Sequence, residues 1–554
     1  MYCFRNKPTA FSHYATLMLA MLLWVHSRPA TAQQPGSSTA SAAQSWHISG
    51  KVVDARSGQA VVRCVVEITP TDHRSQSLSF ETGDDGQFNF GSISQGKYEL
   101  SAARRGYLTQ SYQQHDEFST AIAVGPERIS EDLVFRLMPQ AIFYGTVSDE
   151  AGEPIRRAQV RLYEDRERDG IRSTQQRQTV ITDDRGMYEI ANIPPGNYFL
   201  SASAQPWYAG AANQQHSPVE FRGTQPGASS ALDVAYPLTF YPGAINSDDA
   251  IPIPIRGGER IEANMALNAQ HAMRLQVPVV SSRDGGFGVS MAQNVFGQLE
   301  QLPASIQMNN DGGIEISGVL PGQYEVTVTH SEGQSPPVST HFTADIADGA
   351  TQLAGDSGGG EVTVSGKVTS LDSKIRFAGI SLVASHPQRN YFAQLNDAGD
   401  FTLEVPPGEY QVIGQIPQMY LASVTSPDTL VKGRMVQVKA GSAAKLEIVA
   451  GNGYGQVEGV VERNGRPASG VMVLLAPEDA KDNQILFRRD QSDSDGSFLL
   501  FNIIPGRYRL LAIDEGWELD WADPNVLAAY LKKSVPVRVY AHDKLRQIVE
   551  VQDR

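Results

Sequence analysis

"DDRGMYEIANIPPGNYFL", Asp183–Leu200, is the stretch whose reading decides the fold. Counted from Gly186, an aromatic stands two places on (Tyr188), an aliphatic four on (Ile190), a second glycine ten on (Gly196) and a tyrosine twelve on (Tyr198). Apolar residues at period two line one face of a strand. The Asp and Gly before them and the Pro-Pro-Gly after Ile193 are turn chemistry, so the stretch reads as a pair of strands with turns at both ends. A two-stranded hairpin is marginal in water, which requires a larger unit around it.

The pattern recurs five times. The turn glycines are Gly86, Gly186, Gly312, Gly399 and Gly496, at intervals of 100, 126, 87 and 97 residues, a domain spacing rather than a solenoid spacing. Phe88, Tyr188, Ile314, Phe401 and Phe498 follow two places on. The second glycines, Gly96, Gly196, Gly322, Gly408 and Gly506, precede Tyr98, Tyr198, Tyr324, Tyr410 and Tyr508, and the fourth copy is one residue shorter between its glycines. Each tyrosine starts the inward face of a strand and is placed to hydrogen-bond back across the turn.

Four copies open with a strand around a glycine, "HISGKVVD", "IFYGTVSD", "TVSGKVTS" and "QVEGVVER", followed after a turn by an alternating strand such as "AQVRLY" or "GVMVLLA". The third opens with "MRLQVPVV" and lacks that glycine. Six or seven short strands per copy predict an all-β chain of about five antiparallel, immunoglobulin-like β-sandwiches. The expected domains are 45–138, 139–268 with a polar insertion near 211–235, a divergent 269–349, 361–450 and 451–554, with a Gly-rich linker at 350–360. One helix start is legible, with Asp523 as cap, Pro524 in first position and a stripe of Leu527, Tyr530 and Leu531.

The order "SGKVVD", turn, "AQVRL", "TDDRGMYEIANIPPGNYFL" resembles the carboxypeptidase regulatory-like domain, a transthyretin-like (prealbumin-like) β-sandwich often found in tandem in exported bacterial proteins. The resemblance is clearest in domains one, two, four and five. It implies a non-catalytic module, and the related starch-binding-like sandwiches bring sugar binding in as an inherited expectation.

Residues 1–32 have the build of a secretory signal: Arg5 and Lys7, the apolar run Tyr14–Val25, and small residues ending at Ala32. Twelve apolar residues fall short of the roughly 20 that span a bilayer. Cleavage after Ala32 leaves a flexible linker, 33–44, and predicts an exported chain in the periplasm, at the cell surface or outside the cell, with no later transmembrane segment. Losing Arg5, Lys7 and Arg28 moves the formal charge from −15 to −18, which repels phosphate backbones and argues against nucleic acid. Cys64 is then the sole cysteine, so no intramolecular disulfide is available, and its alternating context reads as core.

Catalytic signatures are sparse. None of the eleven histidines begins an "HxxE" or "HExxH", so no zinc peptidase and no cofactor is expected. "GDSGG", Gly355–Gly359, matches a nucleophile motif, but Ser357 lies between domains without the strand and helix of an elbow. Asp493 and Asp495 in "DQSDSDG" alternate as calcium ligands do, yet Asn502 stands where a loop of that kind needs its glutamate. The remaining candidates are aromatic: Tyr107, Trp207, Tyr208, Tyr420, Trp517 and Trp521 follow the "GxY" strands. Rings at one end of a sandwich stack on sugar faces; they also cap cores or sit between domains, which is the commoner use. The chain reads as an exported, non-enzymatic binding or scaffold protein, with glycans or envelope proteins as partners.

Overall fold

In the computed structural model the described residues are 45–554 except 74, 127, 129, 169, 210–230, 278–284, 303–304, 309–313, 333–337, 348–361, 371–377 and 386–387. The signal segment, the 33–44 linker, most of the insertion, Gly312 and Ser357 therefore lie outside them. The described chain is built from strands packed as pairs of sheets around five hydrophobic cores, here called modules 1 to 5.

The glycine of each opening strand is explained by what lies on either side of it. In module 1, strand Trp46–Asp54 pairs antiparallel with Gln87–Ile93 and parallel with Leu133–Leu137. The same three-strand arrangement recurs around Ala141–Ser148, Val362–Ser370 and Gly455–Arg463. On the antiparallel side Gly50, Gly145, Gly366 and Gly459 stand opposite the buried rings of Phe88, Tyr188, Phe401 and Phe498, and at 366 and 459 the ring lies within 3.0 Å of where a Cβ would stand. On the parallel side a Cβ at position 366 would lie 2.6 Å from the Leu446 carbonyl oxygen, and at 50, 145 and 459 closer still to the carbonyls of Leu133, Ala263 and Gln547.

Module 3 shows why it lacks this glycine. Among the described residues its opening strand, Met273–Val277, pairs only with Ile314–Val319, and its last strand, Val338–Ile346, joins the opposite sheet. With no parallel neighbour the close approach disappears. The sandwiches are antiparallel as expected except at one pairing: in four modules the first and last strands run parallel, which the whole intervening module, acting as a crossover connection, permits. Gly459→Ala is expected to cost about 3 kcal/mol by forcing the strand Lys544–Gln552 outward. Hydrogen exchange across that strand checks it; exchange equal to the parent protein would refute the steric account.

The turn glycines Gly86, Gly186, Gly399 and Gly496 all have φ between +69° and +80°, the left-handed region glycine enters without penalty. Six residues after the turn glycine of modules 1, 2 and 5, Ser92, Asn192 and Asn502 are left-handed as well, as is Gly318 at the equivalent place in module 3. In modules 1, 2 and 5 this residue lies at the register shift between the opening strand and its antiparallel partner, a β-bulge. Module 4 pairs Val362–Lys367 with Asp400–Val405 without any shift. The residue missing from the fourth copy is the bulge.

All five tyrosines after the second turn close it from inside. Their hydroxyls donate to the carbonyls of Ser94, Pro194, Leu320, Pro406 and Ile504, each four residues back, at 2.9, 2.9, 2.9, 2.6 and 2.6 Å. Each ring lies back over the second glycine of its copy, where a Cβ would come within 3.2–4.0 Å of it. Cys64 is fully buried, and burial pushes its thiol up to about 11, so it is a core residue without thiolate character. The helix Pro524–Leu531 forms as the sequence predicts, with the Asp523 carboxylate accepting from the Asn525 N–H at 2.8 Å.

Candidate functional site

Strand Met472–Pro477 of module 5 is buried at every position. Val473 and Leu475 face the sandwich core, whereas Met472, Leu474 and Ala476 face a second apolar cluster containing Trp517, Trp521 and Leu527. "GVMVLLA" is therefore a continuous hydrophobic run rather than the alternating strand expected, and such a run marks a sheet buried on both faces. That signal, present in the sequence, announces a second layer over module 5.

Modules 1 and 2 complete the layer. The Trp517 ring stacks on His115 of module 1, centroids 5.0 Å apart and planes 5° apart, and packs against Phe118 at 5.6 Å. Trp521 lies against Phe487 at 5.0 Å, and the Ala522 N–H donates to Gly170 of module 2 at 3.0 Å. Arg489, 8% exposed, sits over Trp521 at 4.9 Å and over Phe118 at 5.3 Å. Its guanidinium lies 3.4 Å from Asp116 of module 1 and 3.8 Å from Glu167 of module 2, and Asp116 also pairs with Arg166. One buried cation thus joins three modules.

The acidic turn of module 5 docks beside it. Asp493 pairs with Lys97 at 2.5 Å and accepts from the Ala121 N–H at 2.9 Å; Asp495 pairs with Arg128 at 3.3 Å. The Ser494 N–H donates to the Ala121 carbonyl at 3.0 Å. The two carboxylates considered for calcium are matched by cations of module 1. Among the described residues no group of three or more His, Cys, Asp or Glu could hold a metal ion.

Burial raises the Asp490 carboxyl to about 6, against hydrogen bonds from the Leu499 and Gln491 N–H groups that pull it down. Burial raises Asp493 as well, against the pull of Lys97. Burial also acts to raise Asp495, but hydrogen bonds from Ser497 outweigh it and leave that carboxyl low. A raised folded-state pKa means the folded turn holds its proton more tightly than the unfolded chain. Asp490 therefore favours folding most below about pH 3.8, and that advantage is lost as pH rises from there through about 6. Asp490→Asn is expected to remove a pH-dependent contribution of roughly 3 kcal/mol. Protection of the Leu499 amide at pH 4.5 and 7, corrected for intrinsic exchange, reads it out; an identical pH slope in parent and variant would contradict the assignment.

The six aromatic candidates are thus not one surface. Trp517 and Trp521, 7% and 4% exposed, have their faces covered by modules 1 and 2 and are interface residues rather than open platforms. Tyr107 is half-buried, its hydroxyl donating to Asp54 at 3.0 Å, and Tyr420 packs edge-on against Tyr454, 5.1 Å away, where module 4 meets module 5. Tyr208 donates to Glu150. Trp207 alone of the six is open, at 74% exposure. Its loop is the Pro206–Ala209 turn, closed by the Ala209 N–H to the Pro206 carbonyl at 3.1 Å.

Pro206 and Ala209 also line a cleft of about 660 Å³ between modules 2 and 3. The walls are pinned together. Phe296, at the tip of a module 3 hairpin, wedges among Tyr163, Phe199 and Phe240 of module 2 with centroids 4.7–5.5 Å away. Glu300 pairs with Arg161 at 2.9 Å and accepts from the Tyr163 hydroxyl. Behind the cleft Arg274 holds Asp233 at 2.7 Å. The sequence offered no signal for this cleft, because its lining comes from two modules whose meeting no strand periodicity marks.

Among solved structures, the Bacillus anthracis TIE protein aligns over 91% of this chain and 68% of its own length at 11% identity and a TM-score of 0.15. The minor pilin GBS52 of Streptococcus agalactiae aligns over 43% of this chain and 99% of its own at 15% identity and 0.20. The major pilin subunit BcpA of Bacillus cereus aligns over 74% and 99% at 11% identity and 0.14. TM-scores this low establish neither a shared arrangement nor a shared function. No curated protein matches the chain significantly. The model of the carboxypeptidase regulatory-like domain matches residues 47–128 and 143–225, which are modules 1 and 2. With turn glycines and closing tyrosines in place, the chain carries two carboxypeptidase regulatory-like domains in tandem, at residues 47–128 and 143–225.

Proposed function

We propose that the protein is an exported, non-catalytic scaffold that holds its β-sandwich modules in a fixed arrangement and binds carbohydrate or envelope polymer. The observation that carries this reading is the return of module 5 onto modules 1 and 2 through Arg489, Trp517 and Trp521. A linear string of modules swings about its linkers; a last module docked on the first two resists swinging and presents its surfaces in register. Export rests on the signal-like leader, and no helix among the described residues is long and apolar enough to cross a membrane. Polymer binding rests on Trp207, the open ring.

One observation favours a second reading, a component that docks envelope proteins. Leu499, Phe501 and Ile548 are 45%, 62% and 63% exposed on module 5, and the strand register places them on one outward sheet face. Affinity electrophoresis of the secreted chain through gels cast with neutral polysaccharides separates the two. Retardation that Trp207→Ala reduces supports polymer binding. Absence of retardation in every gel, together with co-purification of an envelope protein that Phe501→Ser abolishes, supports docking instead.

A further inference from the structure

We propose that the cleft between modules 2 and 3 is a binding site for a short neutral oligosaccharide, with Trp207 at its lip extending the site by one sugar ring. The inference rests on the carbohydrate-binding reading above and gives it a place and a chemical class.

Size comes first. About 660 Å³ falls within the range of small-molecule sites, roughly 300–1,000 Å³, and suits a few sugar rings. Rigidity comes second. The Phe296 wedge and the Glu300 contacts with Arg161 and Tyr163 hold the two walls before any ligand arrives, so binding orders little of the protein.

The lining then selects the ligand. Gln205 and Asn246 from module 2, Gln270 from the connection, and Gln293 and Asn294 from module 3 contribute side-chain amides. An amide both donates and accepts, as a sugar hydroxyl does, so amides and hydroxyls pair in either direction. Tyr236 and Phe296 add apolar surface beside them, which suits the C–H face of a sugar ring.

Charge excludes a further class. The lining includes Asp248 and Asp249, and among its described residues there is no Lys, Arg or His. Uronates, phosphates and sulfated sugars would meet two carboxylates and no cation on a chain whose net charge is already −15. The Pro206–Ala209 turn has both ends in the cleft and carries Trp207 outward between them, where its indole can cover a sugar that protrudes from the cleft.

Calorimetric titration of the secreted full-length chain tests the proposal, with neutral tetrasaccharides of glucose, mannose and N-acetylglucosamine, tetragalacturonate and a tetrapeptide mixture as probes. At least one neutral tetrasaccharide is expected to bind. Trp207→Ala, Asn246→Ala and Asn294→Ala alter exposed positions and are each expected to weaken binding about tenfold. Thermal unfolding matching the parent protein shows that the variants are folded. Tetragalacturonate binding as tightly as the neutral sugar, or binding of peptides in place of sugars, overturns the assigned class. Neutral sugar binding that survives both asparagine substitutions overturns the cleft as the site and leaves the carbohydrate reading standing. Failure of the parent chain to bind any neutral sugar, in solution or in polysaccharide gels, removes both.

Discussion

Arg489→Ala is expected to open the junction of modules 1, 2 and 5 at a cost of roughly 3–5 kcal/mol. The guanidinium is 8% exposed, and beside it Glu167 is 3% and Asp116 17% exposed. Removing it leaves carboxylates close together in a site shielded from water, Asp116 with Arg166 as its remaining ion-pair partner, and strips Trp521 and Phe118 of the cation over their faces. The backbone hydrogen bond from Ser494 to Ala121 crosses the same interface, so its amide reports the opening. Its hydrogen exchange should accelerate by at least a hundredfold in the variant, while amides in the core of module 4 keep their rates. Arg489→Lys should recover only part of the loss, since an ammonium does not stack as the planar guanidinium does. Equal Ser494 exchange in Arg489→Ala and parent protein would mean that this residue does not hold the modules together.

Trp521→Ala should be comparably severe, at roughly 3–5 kcal/mol, through a cavity rather than a charge. The ring is 4% exposed, and the backbone of module 2 comes so near that a Cβ on Gly170 would lie 2.6 Å from its Cε3. Gly170, with φ +82°, allows this approach, and an alanine would leave a cavity between Gly170, Phe487 and Arg489. The contrast within the molecule is Trp207→Ala, which removes the same ring from an open position and should change stability by less than about 0.5 kcal/mol. Because a five-module chain need not unfold in one step, segment-resolved exchange is the suitable measure. Loss of protection should concentrate in Met472–Pro477 and Pro524–Leu531. Similar behaviour of Trp521→Ala and Trp207→Ala would remove the distinction between interface and surface rings.

Much of the fold was legible because local rules produce it. Turn glycines at positive φ, the period-two strands after them and the tyrosine that closes each second turn depend on residues no more than about twelve places apart. Even the short fourth copy and the missing glycine of the third were visible as irregularities. Their causes were not, because a bulge and a parallel neighbour are properties of pairing partners distant in sequence. The aromatic set divides for a related reason. Tyr107, Tyr420, Trp517 and Trp521 follow equivalent strands as Trp207 does, but whether a ring meets water depends on which module lies opposite it.

The chain's own pattern, then, determined five β-sandwich units and the turns within them, since each is assembled from neighbours along the backbone. Tertiary structure alone decided that module 5 returns to modules 1 and 2, that the acidic turn faces Lys97 and Arg128, and that a cleft forms beside Phe296. Those outcomes depend on contacts between residues up to 400 positions apart, where complementary shape and charge select the partner and no periodicity records the choice.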